Sequence, residues 1–155
     1  MPSPRAAALI ERLNLAPHPE GGHYRQIYKS PARVQVARGE RAALTTIYFL
    51  LAAGEQSRWH QVRSEEAWHF YEGDPLELLV MDPGMTAVET IRLGSTADGA
   101  RVHVVPADWW QAARPCGEYA LVGCTVAPGF EFADFAFLTD VEPLQRIRPD
   151  LVSLA

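Results

Sequence analysis

His60 and Glu66 are the two residues of this sequence whose types and spacing are best suited to chemistry. They lie within residues 54–73, a stretch that begins and ends with glycine. An imidazole and a carboxylate can together bind a divalent metal ion, or together move a proton. If the spacing of the two residues is set aside, the alternative is that His60 is an ordinary surface histidine and Glu66 is a turn residue like its neighbour Glu65.

The strands predicted around this pair would turn both side chains toward one cavity. Runs of β-branched and aromatic residues flank the pair on both sides, as in neighbouring strands. Because side chains alternate along a strand, Glu66, Trp68 and Phe70 would share one face. His69 and Tyr71 would share the opposite face. A carboxylate followed by an aromatic wall is a sensible lining for a small-molecule pocket.

The elements that must position these residues are predicted to be many short strands. Turn-forming residues, mainly Gly, Pro, Asp and Ser, separate the runs. No long segment between them has the hydrophobic periodicity of a helix. This spacing is typical of an antiparallel sandwich or barrel and argues against a parallel α/β sheet. The predicted strands cover residues 23–29, 42–51, 67–71, 76–81, 88–93, 102–105, 118–126 and 132–138.

A short helix is predicted before the strands. Ser3 can cap it, Pro4 suits its first position, and Leu9 lies on its apolar stripe. Residues 14–19 contain Asn14 and two prolines, which end the helix. The prediction is one all-β domain with a short N-terminal helix.

Composition excludes several classes of function. The chain has 155 residues and a formal net charge of -5, which disfavours binding to a phosphate backbone. No apolar run approaches the roughly 20 residues that span a bilayer, and no signal-peptide core is present. We therefore expect a cytoplasmic protein with no nucleic-acid or membrane partner. Cys116 and Cys124 are expected to be reduced and buried.

The spacing of the first motif resembles the first signature of the cupin superfamily, G-x5-H-x-H-x3-E-x6-G. Gly54, His60, Glu66 and Gly73 fit it, whereas Val62 stands where a second histidine is expected.

A counterpart of the second signature, G-x5-P-x-G-x2-H-x3-N, lies further along the chain. Gly99 and Pro106 fit it with one extra residue between them. Asp108 replaces a glycine, a substitution compatible with a left-handed turn, and Gln111 replaces the last histidine. Two of the three histidine positions are therefore altered.

Four further segments narrow the resemblance to small single-domain cupins described as predicted sugar epimerases (cupin type 5). The segments are residues 18–25, 66–76, 105–113 and 122–135. The resemblance implies a double-stranded β-helix, or cupin jelly roll, with its pocket inside the barrel, and a homodimer. It predicts a single domain over residues 1–155, with a helix and lead-in at 1–16, a barrel core at 17–138 and a C-terminal tail at 139–155.

The leading hypothesis is a metal-independent epimerase or isomerase that acts on a sugar or similar polar metabolite and needs no cofactor. His60 would be the general base and Glu66 would orient it, since the pKa of histidine suits proton transfer near neutral pH. Tyr24 or Tyr71 would return a proton. Substrate binding is assigned to Arg25, Arg58, Trp68, Phe70 and Gln111.

Two alternatives stay open. A metal-dependent oxygenase or hydrolase would hold a divalent transition metal with His60, Glu66 and Gln111, which falls short of two histidines and a carboxylate. A further ligand would then come from the remaining histidines of the barrel, His69, His103 or His23. The third hypothesis is a cupin that binds a small molecule without catalysis.

Other polar and aromatic residues have plainer predicted roles. Glu20 is assigned to a turn that feeds the first strand, close enough to the barrel mouth to be an alternative site residue. Trp109 and Trp110 are adjacent and should point in opposite directions, so that one of them lies in the core. Glu131 and Asp134 are predicted on a solvated edge.

Overall fold

The computed structural model describes residues 1–141. Most of the predicted tail, residues 142–155, lies outside the described residues, and the proposed domain bounds stay a prediction. Two helices, thirteen strands and a 3-10 turn are described. They are α1 (Pro4–Arg12), β1 (Ala16–Pro17), β2 (His23–Lys29), β3 (Arg33–Val36), β4 (Gly39–Ala42), β5 (Thr45–Ala52), β6 (Ser57–Val62), β7 (Glu65–Gly73), β8 (Leu76–Met81), β9 (Val88–Leu93), β10 (Val102–Val105), β11 (Trp110–Pro115), β12 (Tyr119–Ala127), the 3-10 turn (Phe132–Asp134), β13 (Phe135–Phe137) and α2 (Leu138–Val141).

Two antiparallel sheets form the body of the molecule. One has the strand order β1-β2-β5-β12-β7-β10 and the other has the order β13-β6-β11-β8-β9. A separate two-stranded ribbon pairs β3 with β4. The late strand β12 lies between β5 and β7, and β6 and β7 belong to different sheets. The predicted all-β double-stranded β-helix, the jelly roll of cupins, is confirmed.

Helix α1 covers the outer side of the larger sheet. Ser3 accepts a hydrogen bond from the amide of Ala6 at 3.3 Å, so it caps the helix as predicted. Leu9 is buried with Leu50 and Leu121 of the sheet. The helix ends before Asn14, whose φ of 54° is left-handed.

Alternation along β7 fixes which residues face the inside of the barrel. Glu66, Trp68 and Phe70 are buried, and Tyr71 on the opposite face is exposed. Trp68 and Phe70 pack with Phe49 of β5 in the central apolar cluster. The predicted parity of β7 is therefore correct, although its two aromatic side chains belong to the core.

Some predictions about single residues are corrected and others hold. Cys124 is buried, but Cys116 is exposed because it lies in the turn after β11. Trp110 is buried, while its neighbour Trp109 is partly buried. Asp108 has a φ of 68°, the left-handed conformation expected where it replaces a glycine. Within residues 1–141, no helix is long and apolar enough to cross a membrane.

Candidate functional site

A cavity of about 240 Å³ opens between the two sheets and contains both residues of the first motif. Its polar lining includes His18, Glu20, His60 and Glu66, and Tyr24 forms part of its wall. The rest of the lining is largely apolar and includes several phenylalanines. A largely apolar cavity with a few convergent polar groups is the usual form of a small-molecule site.

Three different parts of the chain deliver the titratable groups. His60 comes from β6, Glu66 from the start of β7, and Glu20 from the turn between β1 and β2. The turn of Glu20 is held close to the second sheet, because the Glu20 carbonyl accepts a hydrogen bond from the Arg58 amide at 2.9 Å. Gly21, with a φ of 112°, lies so close to the Gln56 carbonyl that a side chain there would collide with it.

His60 is paired directly with Glu20. The Nδ1 atom of His60 lies 2.7 Å from the Arg58 carbonyl oxygen, which can only accept, so Nδ1 carries a proton. The other ring nitrogen, Nε2, lies 3.0 Å from Glu20 Oε2. Burial lowers the pKa of His60 and raises the pKa of Glu20 to about 8. Both shifts favour a neutral imidazole whose Nε2 accepts a hydrogen bond from the protonated carboxyl group of Glu20.

Glu66 is held by a different set of contacts. The indole Nε1–H of Trp68 donates to Gln111 Oε1 at 2.7 Å, and Gln111 Nε2 donates to Glu66 Oε1 at 2.7 Å. Because an indole can only donate, it fixes the orientation of the amide. Burial raises the pKa of Glu66 to about 7, a value suited to both giving and taking a proton at neutral pH.

His18 completes the polar side of the cavity. Its Nδ1 accepts a hydrogen bond from the Glu20 amide at 3.1 Å, and its ring packs edge-on against Tyr24 with centroids 4.3 Å apart. Burial, with a smaller contribution from the neighbouring His60, lowers the pKa of His18 to about 4. The ring is therefore neutral at physiological pH.

These shifts predict that the fold loses stability as pH rises from 6.5 to about 8. In the unfolded chain Glu20 is ionised throughout this window, whereas in the folded chain it keeps its proton up to about pH 8. The folded state then binds more protons and is destabilised by rising pH, by on the order of 1 to 2 kcal/mol across the window. His18 and His60, with folded pKa values below 6.5, add stability with rising pH only below this window.

Urea unfolding at pH 6.5 and pH 8 measures the effect. Glu20→Gln should weaken the dependence, because its amide does not titrate, and leave the smaller part below about pH 7 that comes from Glu66. Glu77→Gln at a surface ion pair should leave the dependence unchanged. Parallel pH profiles for the wild type and Glu20→Gln would contradict the assignment.

Gln111→Leu is expected to lower the free energy of unfolding by about 2 kcal/mol, because it leaves the indole N–H of Trp68 and one oxygen of Glu66 unpaired in the interior. Gln61→Leu is the control, since Gln61 donates at an exposed position to the Asp108 carbonyl. Urea unfolding compares the two variants, and the indole resonance of Trp68 reports the lost hydrogen bond. Equal losses in both variants would argue against a special role for Gln111.

The other predicted binding residues lie away from the cavity wall. Arg25 is exposed and donates to the Leu13 carbonyl. Arg58 donates to the Pro19 carbonyl at 3.0 Å, and its guanidinium lies over the Phe137 ring.

Three more predicted residues also lie elsewhere. Trp68 and Phe70 are core residues, and Tyr71 is 47% exposed on the outer face of β7. Of the substrate-binding residues predicted from the sequence, Gln111 is the one whose side chain hydrogen-bonds to a titratable side chain of the cavity.

Sequence reasoning missed His18 and gave Glu20 a secondary role. Both residues lie in a glycine-containing turn that resembles an ordinary strand connection. Their adjacency to His60 depends on pairing between distant strands. Sequence reasoning also missed Phe130 and Phe135, which form the apolar wall, although the aromatic residues around position 132 were a visible signal.

The proposed metal ligands do not fit a metal ion in this arrangement. The one ligating atom of the Gln111 amide, Oε1, accepts the Trp68 indole, and both ring nitrogens of His60 are engaged. In the described part of the chain no group of three or more His, Cys, Asp or Glu side chains is placed to hold a metal. The half-buried His103 lies on β10, which pairs with the outer strand edge of β7.

Comparisons with known proteins agree with the fold. A hypothetical protein from Leishmania major is 31% identical, with a TM-score of 0.87 over 97% of this chain and 98% of that one. A protein from Shewanella oneidensis is also 31% identical, with a TM-score of 0.86 over 97% and 96% of the two chains.

The capsular polysaccharide assembling protein CapF from Staphylococcus aureus has a TM-score of 0.62 at 11% identity, over 80% of this chain and 32% of its own. That similarity shows the fold alone. Comparison with curated proteins finds no significant match. The model of the cupin superfamily family DUF985 matches residues 7–138. The chain belongs to this family of cupins.

Proposed function

We propose that this protein is an acid–base isomerase or epimerase that moves a hydrogen beside a carbonyl group of a small polar metabolite, without a metal. The observation that carries the proposal is the convergence of Glu20, His60 and Glu66 in one cavity, with both carboxyl pKa values raised toward neutrality. Pairs of titratable groups with displaced pKa values are characteristic of acid–base sites.

Glu66 is the base in the proposed reaction. Its pKa of about 7 leaves a large share of it ionised at neutral pH, and it can take the proton from the carbon beside the carbonyl. The electron pair of the broken C–H bond moves into an enolate, and Glu66 releases the proton to water at the end of the cycle. This revises the hypothesis from the sequence, in which His60 was the base, because both ring nitrogens of His60 are already engaged.

Glu20 is the proposed acid, and it returns a proton to the carbon. Its proton is held against His60 Nε2. Once that proton leaves, a carboxylate faces the lone pair of Nε2, an unfavourable arrangement that favours proton uptake from water. His60 is thus proposed to promote reprotonation of Glu20 after each turnover. Tyr24, in the same wall, stays a candidate for a second proton donor.

Solvent-hydrogen exchange tests the proposal. Candidate sugars and hydroxycarbonyl compounds are incubated with the protein in deuterated buffer, and deuterium beside the carbonyl is measured by NMR and mass spectrometry. We expect incorporation above the protein-free background, with epimer formation at the same carbon. A compound that binds in the cavity and gains no deuterium would contradict acid–base turnover and favour the binding cupin.

The homodimer implied by the family resemblance stays a prediction. Light scattering coupled to size exclusion measures it directly, and we expect a mass of two chains. A mass of one chain would reject it.

A further inference from the structure

The cavity presents carboxyl groups to a bound ligand but no cationic side chain. Among the described residues that line it, Glu20 and Glu66 are acidic and none is lysine or arginine. An anionic group bound there would have no positive partner and would lie in the same cavity as Glu66, which is partly ionised at neutral pH. Burying an anion without a counter-charge, near a like charge in an interior of low dielectric, is costly.

The arginines near the cavity are occupied elsewhere. Arg58 donates to the Pro19 carbonyl and lies 4.0 Å from the centroid of the Phe137 ring. Arg41 donates to both oxygens of Asp134 at 2.8 and 3.0 Å. Recruiting either guanidinium for a phosphate or carboxylate would break these contacts, and neither side chain lines the cavity.

The apolar wall of the cavity indicates that a bound ligand has an apolar face. Phe130, Phe132 and Phe135 pack edge to face, with centroids between 4.9 and 6.2 Å apart. Phe135 also stacks on the His60 ring at 5.3 Å. Phe132 is 55% exposed, so it stands at the opening. A flat or apolar face of a ligand fits this wall, with its polar groups turned toward the carboxyls.

The size of the cavity limits the ligand further. Its volume of about 240 Å³ is below the range of roughly 300–1,000 Å³ that holds drug-sized ligands. The room suits one ring, and a nucleotide-linked sugar has at least three.

We propose that the cavity selects an uncharged, single-ring hydroxycarbonyl compound with one apolar face, and rejects phosphate-bearing and carboxylate-bearing relatives. The inference takes its site from the proposed function and adds the class of substrate. It depends on the lining of the cavity and not on turnover, so binding alone can test it.

A matched series of sugars separates the classes by charge. Binding of 6-deoxyglucose, glucose, glucuronate, glucose 6-phosphate and glucosamine is measured by calorimetry and by saturation-transfer NMR at neutral pH. We expect 6-deoxyglucose and glucose to bind at least about tenfold more tightly than the two anions. Equal or tighter binding of an anion overturns the inference, and so does tighter binding of glucosamine or a failure of both neutral sugars to bind.

A cation placed at the opening should reverse the preference. Gln26 lines the cavity and is exposed, so Gln26→Arg is expected to strengthen binding of glucuronate and glucose 6-phosphate at least about tenfold. Val102→Arg is the matched control, because it makes the same charge change at a site 49% exposed on β10. Equal gains in both variants would show a general charge effect and count against selection by the cavity.

The deuterium assay distinguishes the two proposals. Neutral sugars that bind without exchange would leave this inference standing and contradict acid–base turnover. Exchange into a phosphorylated compound would contradict this inference and leave the proposed acid–base turnover standing.

Discussion

His60→Gln is expected to slow solvent-hydrogen exchange into a substrate by about 10²- to 10⁴-fold, the usual contribution of a positioned acid–base group. Glutamine keeps a polar side chain in the buried position, but it cannot hold and release the proton shared with Glu20. The exchange rate in deuterated buffer measures the loss. His103→Gln, a half-buried histidine on β10, is the control and should keep the wild-type rate.

Affinity measured on the same variant separates catalysis from binding. An enzyme should lose rate and keep its dissociation constant within a few fold, because His60 is proposed to act on the proton of Glu20 and not to bind the substrate. A loss of affinity that accounts for the whole loss of rate would indicate a binding role. An unchanged rate would contradict any part for His60 in the reaction.

Asp134→Ala is expected to lower the free energy of unfolding by about 3 kcal/mol, the usual effect of removing one partner of a buried ion pair. The Asp134 side chain is 3% exposed, accepts two hydrogen bonds from Arg41, and lies 3.1 Å from Arg38 Nε. Its loss would leave two guanidinium groups without a counter-charge. Urea unfolding at neutral pH measures the change.

Neutral pH is the correct condition for this measurement. Hydrogen bonds from Arg41 hold the pKa of Asp134 below its usual value of 3.8, so its contribution is fully present above that pH. The contribution is lost as pH falls through the folded pKa. Glu40→Ala, at an exposed ion pair with Arg33, is the control and should cost less than about 1 kcal/mol. Equal losses in the two variants would contradict a buried role for Asp134.

The sequence predicted Asp134 on a solvated edge, and the structure shows why that was wrong. Acidic residues are usually exposed, and the nearby Glu131 does lie partly in solvent. The two arginines that bury Asp134 come from the turn between β3 and β4 and from β4. They lie almost a hundred positions away along the chain, beyond the reach of any local pattern.

The architecture was predictable because alternation and turn chemistry are local. The parity of β7 follows from the spacing of Glu66, Trp68 and Phe70 alone. The sequence could not predict which side chains contact each other inside the barrel. Gln111 stands where the motif has a metal-ligating histidine. The orientation of its amide is nevertheless determined by a donor on another strand, the indole N–H of Trp68.

The partner of His60 illustrates the same limit. Glu66 was expected to orient it because the two residues are close in sequence. Glu20 does so instead, since the turn before β2 crosses to the second sheet and hydrogen-bonds to Arg58. Spacing along the chain identified two of the three acid–base groups, and the third needed the tertiary structure.

The position of β12 between β5 and β7 has a consequence for how the molecule is made. Thr45 of β5 pairs with Val126, and Glu66 of β7 also pairs with Val126. Each strand has a second neighbour, β2 for β5 and β10 for β7, but neither has its shared neighbour β12 until the ribosome has added and released almost all of the described chain. The cavity cannot form on a nascent fragment, and closing such long-range pairs is slow relative to forming local hairpins. Ligand added during refolding should bind only in the final phase, as the last step of chain assembly.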